Sequence, residues 1–199
     1  MLAAFLALAL AAVPARADAV FTRKVVEAAE GQTKERVVYD GRYIKLAYPG
    51  GDVPAGLGVC TDVVIRAFRK AGVDLQVAVH QDMSANFSAY PKKWGRRSPD
   101  RNIDHRRVPN LMTFFRREGA SLPLSMRAED YAAGDLVTWD LGGGLTHIGI
   151  VVAGDGGRPL IVHNIGRGPQ REDVLFSWTI TGHYRWKPRP VSPSRRAPA

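Results

Sequence analysis

The chain of 199 residues holds one cysteine, Cys60. A lone cysteine closes no internal disulfide, so the paired-bridge framework of small exported domains is excluded. Long apolar runs are equally scarce. Only residues 2–13 form one, and it is short for a membrane span, which excludes a bundle of membrane-spanning helices. Acidic residues are in deficit: 19 Asp and Glu stand against 28 Lys and Arg, a formal net charge of +9. No internal repeat, no short zinc motif such as H-E-x-x-H and no nucleic-acid motif occurs, so nucleic acid is not the expected partner of that charge. The apolar share is that of an ordinary folded domain and excludes wholesale disorder.

The two ends differ from the middle. The opening MLAAFLALALAAVPARADAV places Pro14 and Ala15-Arg16-Ala17 after the apolar run. That is the order of a secretory h-region and a small-residue cleavage site, although no Lys or Arg precedes it. Residues 1–17 are therefore expected to be a signal peptide cut after Ala17, with an uncleaved anchor and a buried helix as the alternatives. Export to the periplasm or beyond follows, with no stable membrane insertion after cleavage. Residues 187–199, KPRPVSPSRRAPA, are expected to form a disordered basic tail. One domain over residues 20–186 remains.

Within it the hydrophobic period changes once. Helical spacing predicts helices over residues 21–31, 60–71, 75–88 and 111–118, with Gly31, Gly72 and Gly119 as stops. In the second, Cys60, Val63, Val64, Ala67, Phe68 and Ala71 share a face, while Asp62, Arg66, Arg69 and Lys70 fall largely elsewhere. The last third turns to alternation, predicting strands over residues 135–140, 147–152, 159–164 and 179–186, divided by glycine-rich turns. Helices first and an antiparallel sheet afterwards make the fold class α+β.

Export sharpens the question of the cysteine. Cys60 follows Gly56 and Gly58 and opens a helix, where the macrodipole favours the thiolate, the reactive form. The competing reading is a buried inert thiol on the helix's apolar face. A nucleophilic cysteine needs a base. His147 opens one strand candidate, and Gly149 two residues on leaves a patch where a helix end could approach. His163 ends the next strand, so antiparallel pairing can make the two histidines neighbours. A second polar group can then orient the base imidazole. His163 is one candidate and Asn164 another, on the opposite face of the strand. The same Cys, His and His could also bind zinc, at a spacing that matches no short metal motif.

The succession Val59-Cys60-Thr61, Gly134-Asp135-Leu136-Val137, His147-Ile148-Gly149-Ile150 and Val162-His163 resembles the papain-like superfamily in its cell-wall branch of NlpC-type and CHAP-type peptidases and amidases. The likeness spans about residues 45–165 and departs at the cysteine, where the usual Asp-Cys-Ser-Gly is Val59-Cys60-Thr61-Asp62. More narrowly, YPGGDVP, GVCTDVVIRAFR, PDRNIDHRRVPNL, HIGIVV, VHNIG and TGHYRW resemble the bacterial domain-of-unknown-function family 1287. The resemblance implies a papain-like fold with the cysteine helix packed on a C-terminal antiparallel sheet. It further implies thiol hydrolysis of an amide bond in peptidoglycan stem peptides by Cys60, His147 and His163, without metal or cofactor. It also implies a site-lining tyrosine upstream of the cysteine, for which Tyr48 is the candidate. A non-catalytic cell-wall binding or assembly module of the same shape is the alternative.

Residues 92–127 carry ten Lys and Arg against Asp100, Asp104 and Glu118. Such a run can be a solvated surface. Asp104-His105-Arg106-Arg107 nevertheless mixes acids and bases more than solvation requires. Arginine binds carboxylates with a bidentate fork, and stem peptides are rich in carboxylates. Arg106 or Arg107 is thus expected to hold an anionic peptide substrate, or to order the site through Asp104, with His105 alongside.

Overall fold

The computed structural model describes residues 12–188. The expected h-region up to residue 11 and the tail beyond residue 188 lie outside the described residues, although Lys187 is described and pairs with Asp18 at 3.1 Å. Helix α1, Ala12–Gln32, runs through the expected cleavage point. Its Phe21, Val25 and Ala29 recur every four residues, and all three are buried. Two short strands follow, β1 (Val38–Tyr39) and β2 (Leu57–Gly58), paired in parallel. Then come α2 (Cys60–Lys70), α3 (Leu75–Ala85) and α4 (Val108–Arg117). Gly72, at φ +96°, ends α2 in the left-handed conformation that suits glycine, and the Val73 N–H reaches back to the Phe68 carbonyl at 2.9 Å.

The last third forms a five-stranded antiparallel sheet of β3 (Leu136–Asp140), β4 (Thr146–Ala153), β5 (Pro159–Asn164), β6 (Pro169–Glu172) and β7 (Thr179–Tyr184), in the order β6-β5-β4-β3-β7. Alternation sorts its residues. Leu136, Ile148, Ile150, Val152 and Val162 face the helices in the main core, where Phe68 touches the rings of Phe21, Phe115 and Trp186. Val137, Trp139, Val151 and Ile161 form a second core on the far face with Tyr131 and Leu175. The molecule is therefore a mixed α+β fold with helices on one face of the sheet. No described helix is long and apolar enough to cross a membrane.

One buried charge cluster closes the sheet behind β3. Asp135 accepts from His183 Nε2 at 2.7 Å, from Arg185 Nε at 2.7 Å and Nη2 at 2.8 Å, and from the Ala132 N–H at 2.9 Å. The His183 ring stacks on Tyr131 with centroids 4.2 Å apart. Burial alone would raise the Asp135 carboxyl, but the His183 and Arg185 hydrogen bonds outweigh it and hold the group below its ordinary value. A depressed carboxyl stabilises the fold above its unfolded pKa, and that stability disappears as pH falls through the folded value. Asp135→Ala is expected to cost about 3–5 kcal/mol at neutral pH, because it strands buried His183. Urea titrations of variant and wild type should show the gap narrowing on acidification.

Candidate active site

The glycine turn before α2 brings Cys60 to the rim of the sheet. On β4, Val151 exchanges hydrogen bonds with Gly134 and Asp135 on the β3 side. By alternation Ile148 must then direct its N–H toward β5. Pairing with β5 begins only at Ile150 opposite Val162. Beyond it Asn164 bends away, its amide donating to the Gly58 carbonyl at 3.3 Å and its carbonyl accepting from the Gly166 N–H at 3.1 Å. The vacated place on β4 is taken by sulfur: the Ile148 N–H donates to Cys60 Sγ. The sulfur therefore lies against the peptide bond that joins His147 to Ile148.

Two further donors reach the sulfur, the Thr61 N–H and the Tyr39 hydroxyl. Tyr39 stands there because β1 pairs with β2, setting Tyr39 opposite Gly58, two residues before the cysteine. Cys60 is 4 % exposed, and burial pushes its thiol up to about 11 against the pull of these three donors. The resting sulfur at neutral pH is a thiol. Burial and the Cys60 sulfur likewise push the Tyr39 phenol well above its ordinary value, so it stays a donor.

The imidazoles sit on the far face. Gly149 is opposite the gap between two β5 side chains. A methyl there would come within 2.6 Å of Ile161 Cγ2 and 3.2 Å of His163 Cβ. The patch at Gly149 is thus filled by β5 side chains, not by a helix end. It lets His163 lean across to His147, and Nε2 of His147 lies 2.7 Å from Nδ1 of His163. His163 Nε2 lies in turn 2.8 Å from Glu172 Oε2 on β6, and Glu172 Oε1 lies 3.1 Å from Arg167 Nη2. Trp139 and Trp178 wall the pair, with ring centroids 5.8 and 6.2 Å from that of His147. Burial, then the neighbouring His163, push His147 down to about 3, and burial lowers His163 as well. Both rings are neutral at pH 7. Three of their four nitrogens, all but Nδ1 of His147, are directed at one another and at Glu172 rather than converging on a common point. Among the described residues no group of three or more His, Cys, Asp and Glu is placed to hold a metal ion.

The remaining expected residues are engaged with other partners. Tyr48 stands apart, its ring edge-on to His80 at 5.3 Å and beneath Arg101. Arg106 is spent on structure. It grips Asp62 bidentately, Nε to Oδ1 and Nη2 to Oδ2 both at 2.9 Å, with both side chains almost fully buried. The same guanidinium donates to the Asp40 and Arg42 carbonyls. Asp62 also accepts from the Val59 N–H at 2.7 Å, so the residue that departs from the usual motif fastens the start of α2. The order imposed by Arg106 passes through Asp62, not Asp104. Asp104 instead accepts from Arg107 at 3.1 Å and from the Asp100 N–H. Arg107 stacks on Trp94 with its guanidinium 4.0 Å from the ring centroid. His105 is buried beside this turn and pushed down to about 4, chiefly by burial.

Tyr39, which donates to the sulfur, and Glu172, which meets His163, stand at the site with no expected role. Tyr39 shares with Tyr48 only its position upstream of the cysteine. Glu172 sits in Pro-Gln-Arg-Glu, whose sequence carries no alternation to announce a strand.

A family model described as Domain of unknown function (DUF1287) matches residues 26–186. An uncharacterized protein of Escherichia coli (strain K12), YijF, is 54% identical over 164 residues, covering 81% of this chain and 80% of that protein. The matched span contains the cysteine turn, both histidines and Glu172, and on that extent the chain belongs to the DUF1287 family.

Proposed function

We propose that the protein is an exported thiol hydrolase of the papain-like, NlpC/CHAP type, which cleaves an amide bond in peptidoglycan stem peptides or a related cell-wall peptide. The observation that carries the reading is the place of the sulfur: at the first residue of α2, in the gap beyond β5, against the His147–Ile148 peptide. Cys60 is the nucleophile, His147 the base and His163 the group that orients it. As sulfur attacks the carbonyl carbon, its proton passes to His147 and a C–S bond forms. His147 returns that proton to the leaving nitrogen as the C–N bond breaks. Water, giving a proton to the same ring, then splits the thioester and restores the thiol. The Cys60 N–H, in the first turn of α2 where no intrahelical acceptor exists, suits the developing oxyanion.

The basic segment between residues 92 and 107 supports an anionic peptide as substrate. Lys93, Arg96, Arg97 and Arg101 are exposed on it, and Arg107 is held over Trp94. The leader-like opening supports a periplasmic or secreted location, with cleavage after Ala17. The depth of the sulfur favours one competing reading, a cell-wall binding module with a dormant thiol. Incubation with purified sacculi separates the two. The hydrolase releases soluble peptide fragments with one new amine and one new carboxyl, whereas binding without release overturns it.

Between about 3, where His147 gains a proton, and about 11, where the thiol loses one, the resting pair is neutral. Activity needs the neutral ring. It is expected to fall only as pH drops toward the depressed His147 value, with no inflection near the 6.5 of an ordinary histidine. A plot of kcat/KM from pH 4.5 to 9 checks this.

A further inference from the structure

We propose that Glu172 is a positioning residue that sets the tautomers of both histidines and leaves Nδ1 of His147 as the base nitrogen. His147, His163 and Glu172 lie on three adjacent strands, each diagonal to the next in register. A carboxylate only accepts hydrogen bonds, so the 2.8 Å contact requires the proton of His163 on Nε2. A neutral His163 then has a bare Nδ1. The 2.7 Å contact to His147 in turn requires a proton on Nε2 of His147. Nδ1 of His147 is left with a free lone pair, which is what a base for the Cys60 thiol needs. Without the carboxylate nothing selects among the tautomers. The reversed set, with Nδ1 of His163 donating to Nε2 of His147, places a proton on the nitrogen that must accept one.

Glu172 has a second effect. When His147 takes the thiol proton, its positive charge is met through His163 by the carboxylate, which Arg167 holds from the far side at 3.1 Å. The chain Arg167–Glu172–His163–His147 thus runs from solvent to the base, with Arg167 75% exposed and His163 fully buried. The catalytic part of this inference rests on the thiol-hydrolase reading, whereas the tautomer assignment does not.

The test is nitrogen-15 NMR of the histidine rings in the full-length protein, alongside kcat/KM on cell-wall fragments. In the wild type, Nε2 of both rings is expected to carry the proton, and Nδ1 of His147 to show the shift of a bare nitrogen. Glu172→Gln keeps an oxygen that can accept from His163, so the tautomers stay while kcat falls. Glu172→Ala mixes the tautomers and lowers kcat/KM at least about tenfold with little change in KM. A proton on Nδ1 of His147 in the wild type, or wild-type ring shifts in Glu172→Ala, overturns the proposal. Should Glu172→Ala not fold, the wild-type and Glu172→Gln spectra decide it. Should the wild type release no fragments, the ring shifts still decide the tautomers, so failure of the hydrolase reading is distinguishable.

Discussion

Arg106→Ala is expected to lower the free energy of unfolding by about 3–5 kcal/mol, the usual cost of removing one partner of a buried ion pair. For a domain of this length that is a drop in Tm of about 6–20 °C. The size follows from what is left behind. Asp62 stays buried at 2 % exposure with its bidentate partner gone. The Asp40 and Arg42 carbonyls lose a donor each, and the loop that holds Tyr39 over the sulfur loses its tie to α2. Arg106→Lys offers a point charge in place of a fork, and is expected to recover only part of the loss. The double variant Asp62→Leu/Arg106→Met removes both charges and should be more stable than Arg106→Ala alone. Denaturant unfolding followed by circular dichroism gives all three values. A loss below about 1 kcal/mol for Arg106→Ala would mean the pair is solvated after all.

This pair also shows where local reading ends. On a helical wheel of α2, Asp62 falls outside the apolar stripe and its expected place is in water. The structure buries it, because its partner arrives from 44 residues downstream on a turn that no periodicity marks. The strands were the easier part. Alternation and glycine turns announce β3, β4, β5 and β7 to within a residue or two at most ends. β6 escapes because an edge strand needs no apolar face: Pro-Gln-Arg-Glu pairs through its backbone and buries little but Pro169. The helical half is similar. Cys60, Val63, Val64, Ala67 and Phe68 advertise α2 by their spacing. By contrast, the four residues VPNL at the start of α4 begin it one turn earlier than the Leu111–Phe114–Phe115 stripe alone suggests, since Pro109 fits a first helical turn.

The site divides along the same line. Cys60, His147 and His163 are visible because each stands at an element end with a glycine nearby, and antiparallel register makes the two histidines neighbours. Glu172 inherits the invisibility of β6. Tyr39 is invisible for another reason. Three tyrosines precede the cysteine, Tyr39, Tyr43 and Tyr48, and only the parallel pairing of β1 with β2, two residues long, selects which hydroxyl meets the sulfur. A pairing that short has no signature in composition or period.

The second large effect belongs to the sulfur. Cys60→Ala removes one buried atom from a helix start whose fastening, Asp62 with Arg106 and the Val59 N–H, does not involve it. Alanine suits the position, so the fold is expected to survive with a loss of about 1 kcal/mol or less. Turnover by the proposed thiol route has no such tolerance. With no group to form the thioester, hydrolysis is expected to fall by at least about 1,000-fold. Cys60→Ser is expected to do little better, because a buried hydroxyl is a far weaker nucleophile than sulfur. The decisive measurement is the mass spectrum of soluble fragments released from purified sacculi by the wild type and by Cys60→Ala, at equal concentration and matched circular dichroism. Fragments from the wild type and none from the variant are the predicted result, and equal release by both would contradict a nucleophilic Cys60.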